Sequence, residues 1–402
     1  MEPVMPPVSG ELENLALDLY KASARLSGRV HPVTAKRIVR LLRNVNSYYS
    51  NLIEGISTTL VDIEAGLRDL SEDEKTRKFQ MLHRKNIEAQ AALDRECPDP
   101  EGVITSPDFL CRLHRLLFDG LPEDLLIQRD AQGERHVRMR PGELRNDDVR
   151  VGRHFPPTHT DIPSLLDRFH AAYSLNAHRG VLRLVAAAAS HHRLLWIHPF
   201  LEGNGRVARL FTDTYFACSG LEGYGLWTLS RGLARREAEY KELLAGADAP
   251  RQGDFDGRGA LSAKALGRFC RFFLETALDQ ARFMDSLLHL DTAEKNLAAY
   301  CTLREQGVLA GKKRLPPRAG DVLAYTFVHG ELPKGRVHEL LGVSIRTARD
   351  VANQLVAEGL LESEGHKAPY TIGFPAESVP YIFPELCDPG ALTPTLRNNG
   401  DL

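Results

Sequence analysis

Long apolar runs are missing from this 402-residue sequence. The longest, Val185-Ala-Ala-Ala-Ala within LRLVAAAASHH, is too short to span a bilayer, so no membrane partner is expected. Cysteine is scarce. The six residues at 97, 111, 218, 270, 301 and 387 form no C-x-x-C pair. That scatter speaks against a disulfide frame or a zinc site and predicts reduced thiols in a cytoplasmic protein. The opening MEPVMPPVSGELE has neither a basic start nor an apolar stretch, so no signal peptide is expected. Charge of one sign is not in excess either. A formal net charge of −2 removes the chain-wide basic signature of a nucleic-acid binder. No H-E-x-x-H or G-x-S-x-G occurs, and the adjacent His191 and His192 would point to different faces of a helix.

What is there reads as mainly α. A hydrophobic share of 43% suffices for at least one large core, and the length argues for two or three domains. In TAKRIVRLLRNVNSYYSNLIEG, Ile38, Leu41, Leu42, Val45, Tyr48, Leu52 and Ile53 recur at helical steps. Thr34 is the expected N-cap and Gly55 the residue after the end. Residues 121–160 break the pattern with Pro141-Gly142, Gly152 and Pro156-Pro157, and predict a hairpin excursion with strands at Val137–Met139 and Val149–Val151. VLRLVAAAASHHRLLWI, apolar nearly all round, predicts the central buried helix. The expected division is an N-terminal helical region at 1–100, whose first ten residues are loose, a core at 101–290 and a connector at 291–313. A winged-helix-like unit at 314–375 and a tail at 376–402 complete it.

The chemistry concentrates in His198-Pro199-Phe200-Leu201-Glu202-Gly203-Asn204-Gly205-Arg206-Val207-Ala208-Arg209. Pro199 biases His198 away from helix, which fixes it at a corner. Gly203 and Gly205 permit angles that turn N–H groups inward as an anion nest. The next helix points its positive end at the same spot. Arg206 and Arg209 reach one side, and Glu202 offers the carboxylate usual beside phosphate-bound Mg²⁺. Together these predict a polyphosphate site with His198 as base.

The same stretch matches the Fic motif H-P-F-x-[DE]-G-N-G-R-x-x-R at every specified position, and the chain resembles the Fic family over about 35–375. PGELRNDDVRVGRHFPP at 141–157 looks like that family's flap, and LWTLSRGLARREAEYKELLAGAD at 226–248 like the helix closing its nucleotide site. ALSAKALGRFCRFFLETALDQARFM at 260–284 is similar to Fic proteins with a C-terminal helix–turn–helix unit. The resemblance implies a Fic helical core with a β-hairpin flap and a C-terminal winged helix. It implies a protein adenylyltransferase that moves AMP from Mg-ATP to a Ser, Thr or Tyr hydroxyl of a protein docked on the flap at about 142–157, and to itself. His198 would be the base and Glu202 the Mg²⁺ ligand. Gly203, Asn204 and Gly205 would form the anion hole, with Arg206 and Arg209 on the phosphates and Phe200 anchoring the loop. Val151, Gly152, Arg153 and His154 would border the nucleotide, and Tyr240 the adenine. Relatives that phosphorylate carry Lys at the position of Gly205, so AMP transfer is expected here.

Ser50-Asn51-Leu52-Ile53-Glu54-Gly55 fits the family's inhibitory pattern [ST]-x-x-x-E-[GN]. Ser50 and Glu54 stand one helical turn apart. If that helix (about 34–55) packs on the core, Glu54 pairs with Arg209 and denies it to the γ-phosphate. In the C-terminal unit, eight basic residues face four acidic ones over 311–350. DNA binding through 344–357, with Arg346 and Arg349 leading, is therefore kept as an alternative in which the Fic core senses nucleotide. A de-AMPylating enzyme and a homodimer stay open too.

Overall fold

The helix Leu182–Ile197 is the axis of the molecule, with every residue from Leu184 to Leu194 buried. Its four consecutive alanines let neighbours approach closely. Helices Ile162–Tyr173, Asn204–Cys218 and Ala263–Leu287 pack around it, and Gly10–Ser27 lies along the last of these. Phe211, Phe216, Phe269 and Phe273 are fully buried among them, each worth about 1.5–3 kcal/mol relative to exposure. The structure, a computed structural model, describes residues 1–7, 9–94, 96–97, 99, 101–129, 136–309 and 311–387. No described helix is long and apolar enough to cross a membrane.

The helix carrying Ser50 spans Pro32–Ile53 and starts earlier than its sequence suggested. His31 caps it by accepting from the N–H of Val33, and Pro32 occupies the first turn, where its missing N–H costs nothing. Thr34 instead donates its hydroxyl to the carbonyl of Phe327 at 2.8 Å. Gly55 ends the helix at φ 77°, as expected. Tyr48, Tyr49, Ser50 and Asn51 are all buried, because helices Leu229–Arg235 and Glu74–Leu93 flank this segment.

The first residues and the segment 376–387 are better anchored than composition suggests. Arg193 is buried with no carboxylate at ion-pair distance among the described residues, and it donates to the carbonyl of Pro3 at 2.9 and 3.1 Å and to that of Ala247 at 3.3 Å. Tyr173 donates to the carbonyl of Val4. The start of the expected tail also folds inward: Val379, Ile382, Phe383 and Leu386 are buried. Tyr49 and Arg231 donate to the carbonyl of Leu386 at 3.2 and 3.1 Å. Positions 388–402 lie outside the described residues.

After the helix Leu290–Gln306 come helices Ala319–His329, Val337–Leu341 and Ile345–Ala357. Two short antiparallel strands follow, with Leu361 opposite Ile372 and Glu362 opposite Thr371, and Leu332 bridges to Tyr370. This unit packs on the Ser50 helix through Thr34 and through Arg37, 2.6 Å from Glu362. Its apolar residues are continuous with the main core.

Two expectations fail here. Strand Ile127–Arg129 pairs with His136–Arg138, and 149–151 forms no strand beyond a single bridge, because the prolines and buried Arg145 hold that loop irregular. The cysteines are not all reduced. Cys97, in the segment after the helix Glu74–Leu93, and Cys218, the last residue of Asn204–Cys218, come to a Cα separation of 4.8 Å, and they are bonded.

Candidate active site

His198 follows the buried helix Leu182–Ile197 at φ 50°, ψ 62°, with its N–H still bound to the carbonyl of Leu194. A non-glycine residue in the left-handed region is strained, and Pro199 bars the helical alternative. Arg145, fully buried in the flap root, holds the corner: its Nε donates to the carbonyl of His198 at 2.8 Å and Nη1 to that of Asp147 at 2.9 Å. Burial, then the nearby His154 and Arg145 charges, lower the His198 pKa to about 4. It is a neutral base at physiological pH.

The loop after it is closed by its own side chains. Phe200 is fully buried and stacks on His114 at 4.2 Å. Asn204 locks both ends of the turn: its Oδ1 accepts from the N–H of Phe200 at 3.0 Å and its Nδ2 donates to the Phe200 carbonyl at 2.7 Å. The side chain of Asn204 is thus spent on shaping the anion loop. Gly203 sits at φ 78°, and a Cβ there would lie 2.2 Å from Phe118, so no other residue fits. Gly205 is a glycine for a different reason from the one expected. Its backbone is ordinary helix, and what it provides is space, since a Cβ would meet Oε1 of Glu54 at 2.3 Å.

The helix Asn204–Cys218 aims its N-terminus at this loop. Arg206 rests on the Phe118 ring and reaches Oε1 of Glu202 at 3.2 Å. Glu202, with a side chain 37% exposed, is the open carboxylate of the site and a hard oxygen donor of the kind Mg²⁺ takes beside phosphates. Arg209 is nearly fully buried. Its Nε donates to the hydroxyl of Ser50 at 2.9 Å, and its Nη2 to the carbonyl of Ser50 at 2.9 Å and to Oε1 of Glu54 at 2.5 Å. Burial would push the Glu54 carboxyl up, but Arg209 and Arg206 outweigh it and hold the group below its ordinary value.

The other expected residues divide. Val151 and His154 exchange two backbone hydrogen bonds of 3.0 and 2.9 Å around Gly152 and Arg153, making the flap tip. There Val151 is 42% and Phe155 70% exposed. Tyr240 does not face an open slot. Its ring is 3% exposed and its hydroxyl is 2.8 Å from Nε2 of His191, because Phe269 and Phe272 draw it into the core. Sequence reasoning missed His114, whose Nδ1 accepts from the N–H of Gly142 at 2.8 Å and whose Nε2 lies 3.2 Å from the carbonyl of Glu202. It ties flap root to anion loop. Arg145 and Asp248 were also missed: they lie within the stretches 141–157 and 226–248, but nothing local singles them out, since their partners are carbonyls or residues remote in sequence.

Residues 104–216 match the family model described as Fic/DOC family. Proteins named "Protein adenylyltransferase Fic" from Drosophila erecta and Drosophila mojavensis are 40% and 31% identical to this chain over 144 and 143 residues. Each match covers 34% of this chain and 28% of the relative. A Fic family protein from Desulfovibrio desulfuricans superposes with a TM-score of 0.54 at 18% identity, over 91% of this chain and 97% of that one. A Fic domain containing signaling protein from Bacteroides thetaiotaomicron gives 0.50 at 19% identity, over 67% and 95%. The buried helix, the closed loop after His198 and the helix that follows it thus form a Fic domain within residues 104–216.

Proposed function

We propose that this chain is a protein adenylyltransferase, transferring AMP from Mg-ATP to a protein hydroxyl, and that Glu54 holds it at rest. The observation that carries the reading is the environment of Arg209: a cation at the phosphate end of the site, taken up by Ser50 and Glu54 of a helix outside the Fic domain. His198 removes the proton of the target hydroxyl. The oxygen attacks the α-phosphorus, the bond to the β-phosphate oxygen breaks, and pyrophosphate leaves. Glu202 would hold Mg²⁺, which neutralises phosphate charge. The N–H groups around Gly203 and Gly205 and the end of the helix receive the phosphates. The exposed flap tip would take the target backbone as an added strand.

The test is transfer from α-labelled ATP to protein. Glu54→Gly should exceed the parent severalfold, since it frees Arg209. Arg209→Ala should not, and the double variant should resemble Arg209→Ala. A Glu54→Gly chain no more active than its parent removes the inhibitory role, and no labelling in either removes the transferase. The Cys97–Cys218 bond, which oxidising compartments favour, weighs against the cytoplasm expected from the sequence.

A second reading, DNA binding through 344–357, has one observation behind it. Ser344 caps the helix Ile345–Ala357 and leaves Ile345, Arg346, Thr347 and Arg349 exposed at its leading end. A salt-sensitive gel shift, weakened in Arg346→Ala with Arg349→Ala, would support it.

A further inference from the structure

The flap is held over His198 by side chains outside the motif. His154 points both ring nitrogens at acceptors. Its Nε2 is 3.0 Å from the carbonyl of Trp196, and its Nδ1 is 3.1 Å from a carboxylate oxygen of Asp248. A carbonyl and a carboxylate only accept, so the form that suits both neighbours is the imidazolium, with a proton on each nitrogen. The other carboxylate oxygen of Asp248 lies 3.3 Å from Nε2 of His192. His192 is a different case. Its Nδ1 is 3.0 Å from Nη1 of Arg193, which can only donate, so His192 is neutral with its proton on Nε2. That proton points to the carbonyl of Leu244 at 3.0 Å and to Asp248. A row of polar contacts thus runs from Arg193 through His192 and Asp248 to His154, and it ends in a cation on the flap. Trp196, the second anchor of His154, stands two residues before His198.

We propose that Asp248 is a positioning residue for the reaction: through His154 it pins the flap to the end of the central helix and keeps a cation beside His198, so that His198 remains a free base. The inference rests on the transferase reading above. The charged and titratable groups around His154 are Asp248, His192 and His198, with Arg145 from the flap root. Burial disfavours the charge on His154, but its bond to Asp248 and the attraction of that carboxylate raise its pKa above the ordinary histidine value. Burial would likewise raise Asp248, yet the bonds from His154 and His192 bring it down to about 2. The pinned state is thus complete below the ordinary histidine pKa and is lost as pH rises through the raised value of His154. His198 is neutral above about 4. The active window lies between these two limits.

The test compares the full chain carrying Glu54→Gly with the same chain also carrying Asp248→Asn, which keeps the shape and removes the charge. Nitrogen-labelled histidine, assigned with His154→Gln and His198→Ala, reports each ring by NMR. In the first chain His154 should be doubly protonated at neutral pH and titrate above the ordinary value. With Asp248→Asn its titration should move down and that of His198 up. The kcat for labelled AMP transfer should fall roughly tenfold to a hundredfold, the scale of a misplaced reacting group. Its alkaline limb should shift to lower pH, while KM for ATP changes less than about twofold. A His154 that titrates at the ordinary value, or an Asp248→Asn chain with unchanged titrations and kcat, overturns the proposal. The NMR readout needs no activity. If no AMP transfer is found at all, the transferase reading fails while the His154 titration still decides whether Asp248 pins the flap.

Discussion

At the scale of single residues, the site is defined by what each polar group is already bound to. Arg209 has its bonds filled by Ser50 and Glu54, whereas Glu202 keeps much of its carboxylate open. His198, at the corner before the loop, is a histidine that burial keeps unprotonated. Removing a positioned general base costs about 10²–10⁴-fold in rate. His198→Ala in the Glu54→Gly background should therefore lose transfer by that order while binding ATP as before, with calorimetry and α-label transfer read side by side. Transfer at the undiminished rate would mean that another group takes the proton. The motif made His198, Glu202 and the arginines legible in the sequence because they lie within twelve residues. The roles of Asn204 and Gly205 were not legible in the same way: a motif gives positions, and only packing shows that one closes the loop and the other leaves room for Glu54.

At the scale of elements, the anion loop depends on a glycine against an aromatic wall. Gly203 combines positive φ with a Phe118 ring that would overlap any Cβ. Gly203→Ala should therefore displace either the loop or the helix Pro107–Phe118. The cost should reach about 1–3 kcal/mol, the range of an overpacked core site. Thermal unfolding should show a lower Tm, and ATP binding should weaken with it. An alanine variant with parent stability and affinity would show that the loop adapts freely. Helical periodicity was enough to find the central helix, whose apolar residues surround it, and the Ser50 helix, whose apolar stripe is regular. It failed at the flap, where irregular backbone is held by Arg145 and His114 from a distance.

At the scale of the whole molecule, residues 376–387 reach back to the helix that carries Ser50 and its surroundings. The carbonyl of Leu386 accepts from Tyr49, adjacent to Ser50, and from Arg231, and Glu64 accepts from the N–H of Ala376. Ending the chain after residue 375 should uncover Tyr49 and loosen the Ser50 helix. Transfer should rise toward that of Glu54→Gly and the Tm should fall, with both measured on the same preparation. Unchanged activity in a folded truncation would show that the Ser50 helix is held by its other neighbours alone.

The helical architecture and the candidate set at 198–209 were written in the sequence, because periodicity and a contiguous motif are local properties. The six-residue pattern at 50–55 pointed to the contact of Glu54 with Arg209, which the structure contains. Tertiary structure alone decided the rest. Tyr240 turned inward because neighbouring phenylalanines and His191 compete for it. Cys97 met Cys218 because the segment after one helix reaches the end of another. Asp248 met His154 because the segment after the helix Glu237–Gly246 returns beneath the flap. Each is a pairing between residues tens of positions apart or more, and such pairings are fixed by how helices pack, which no local pattern encodes.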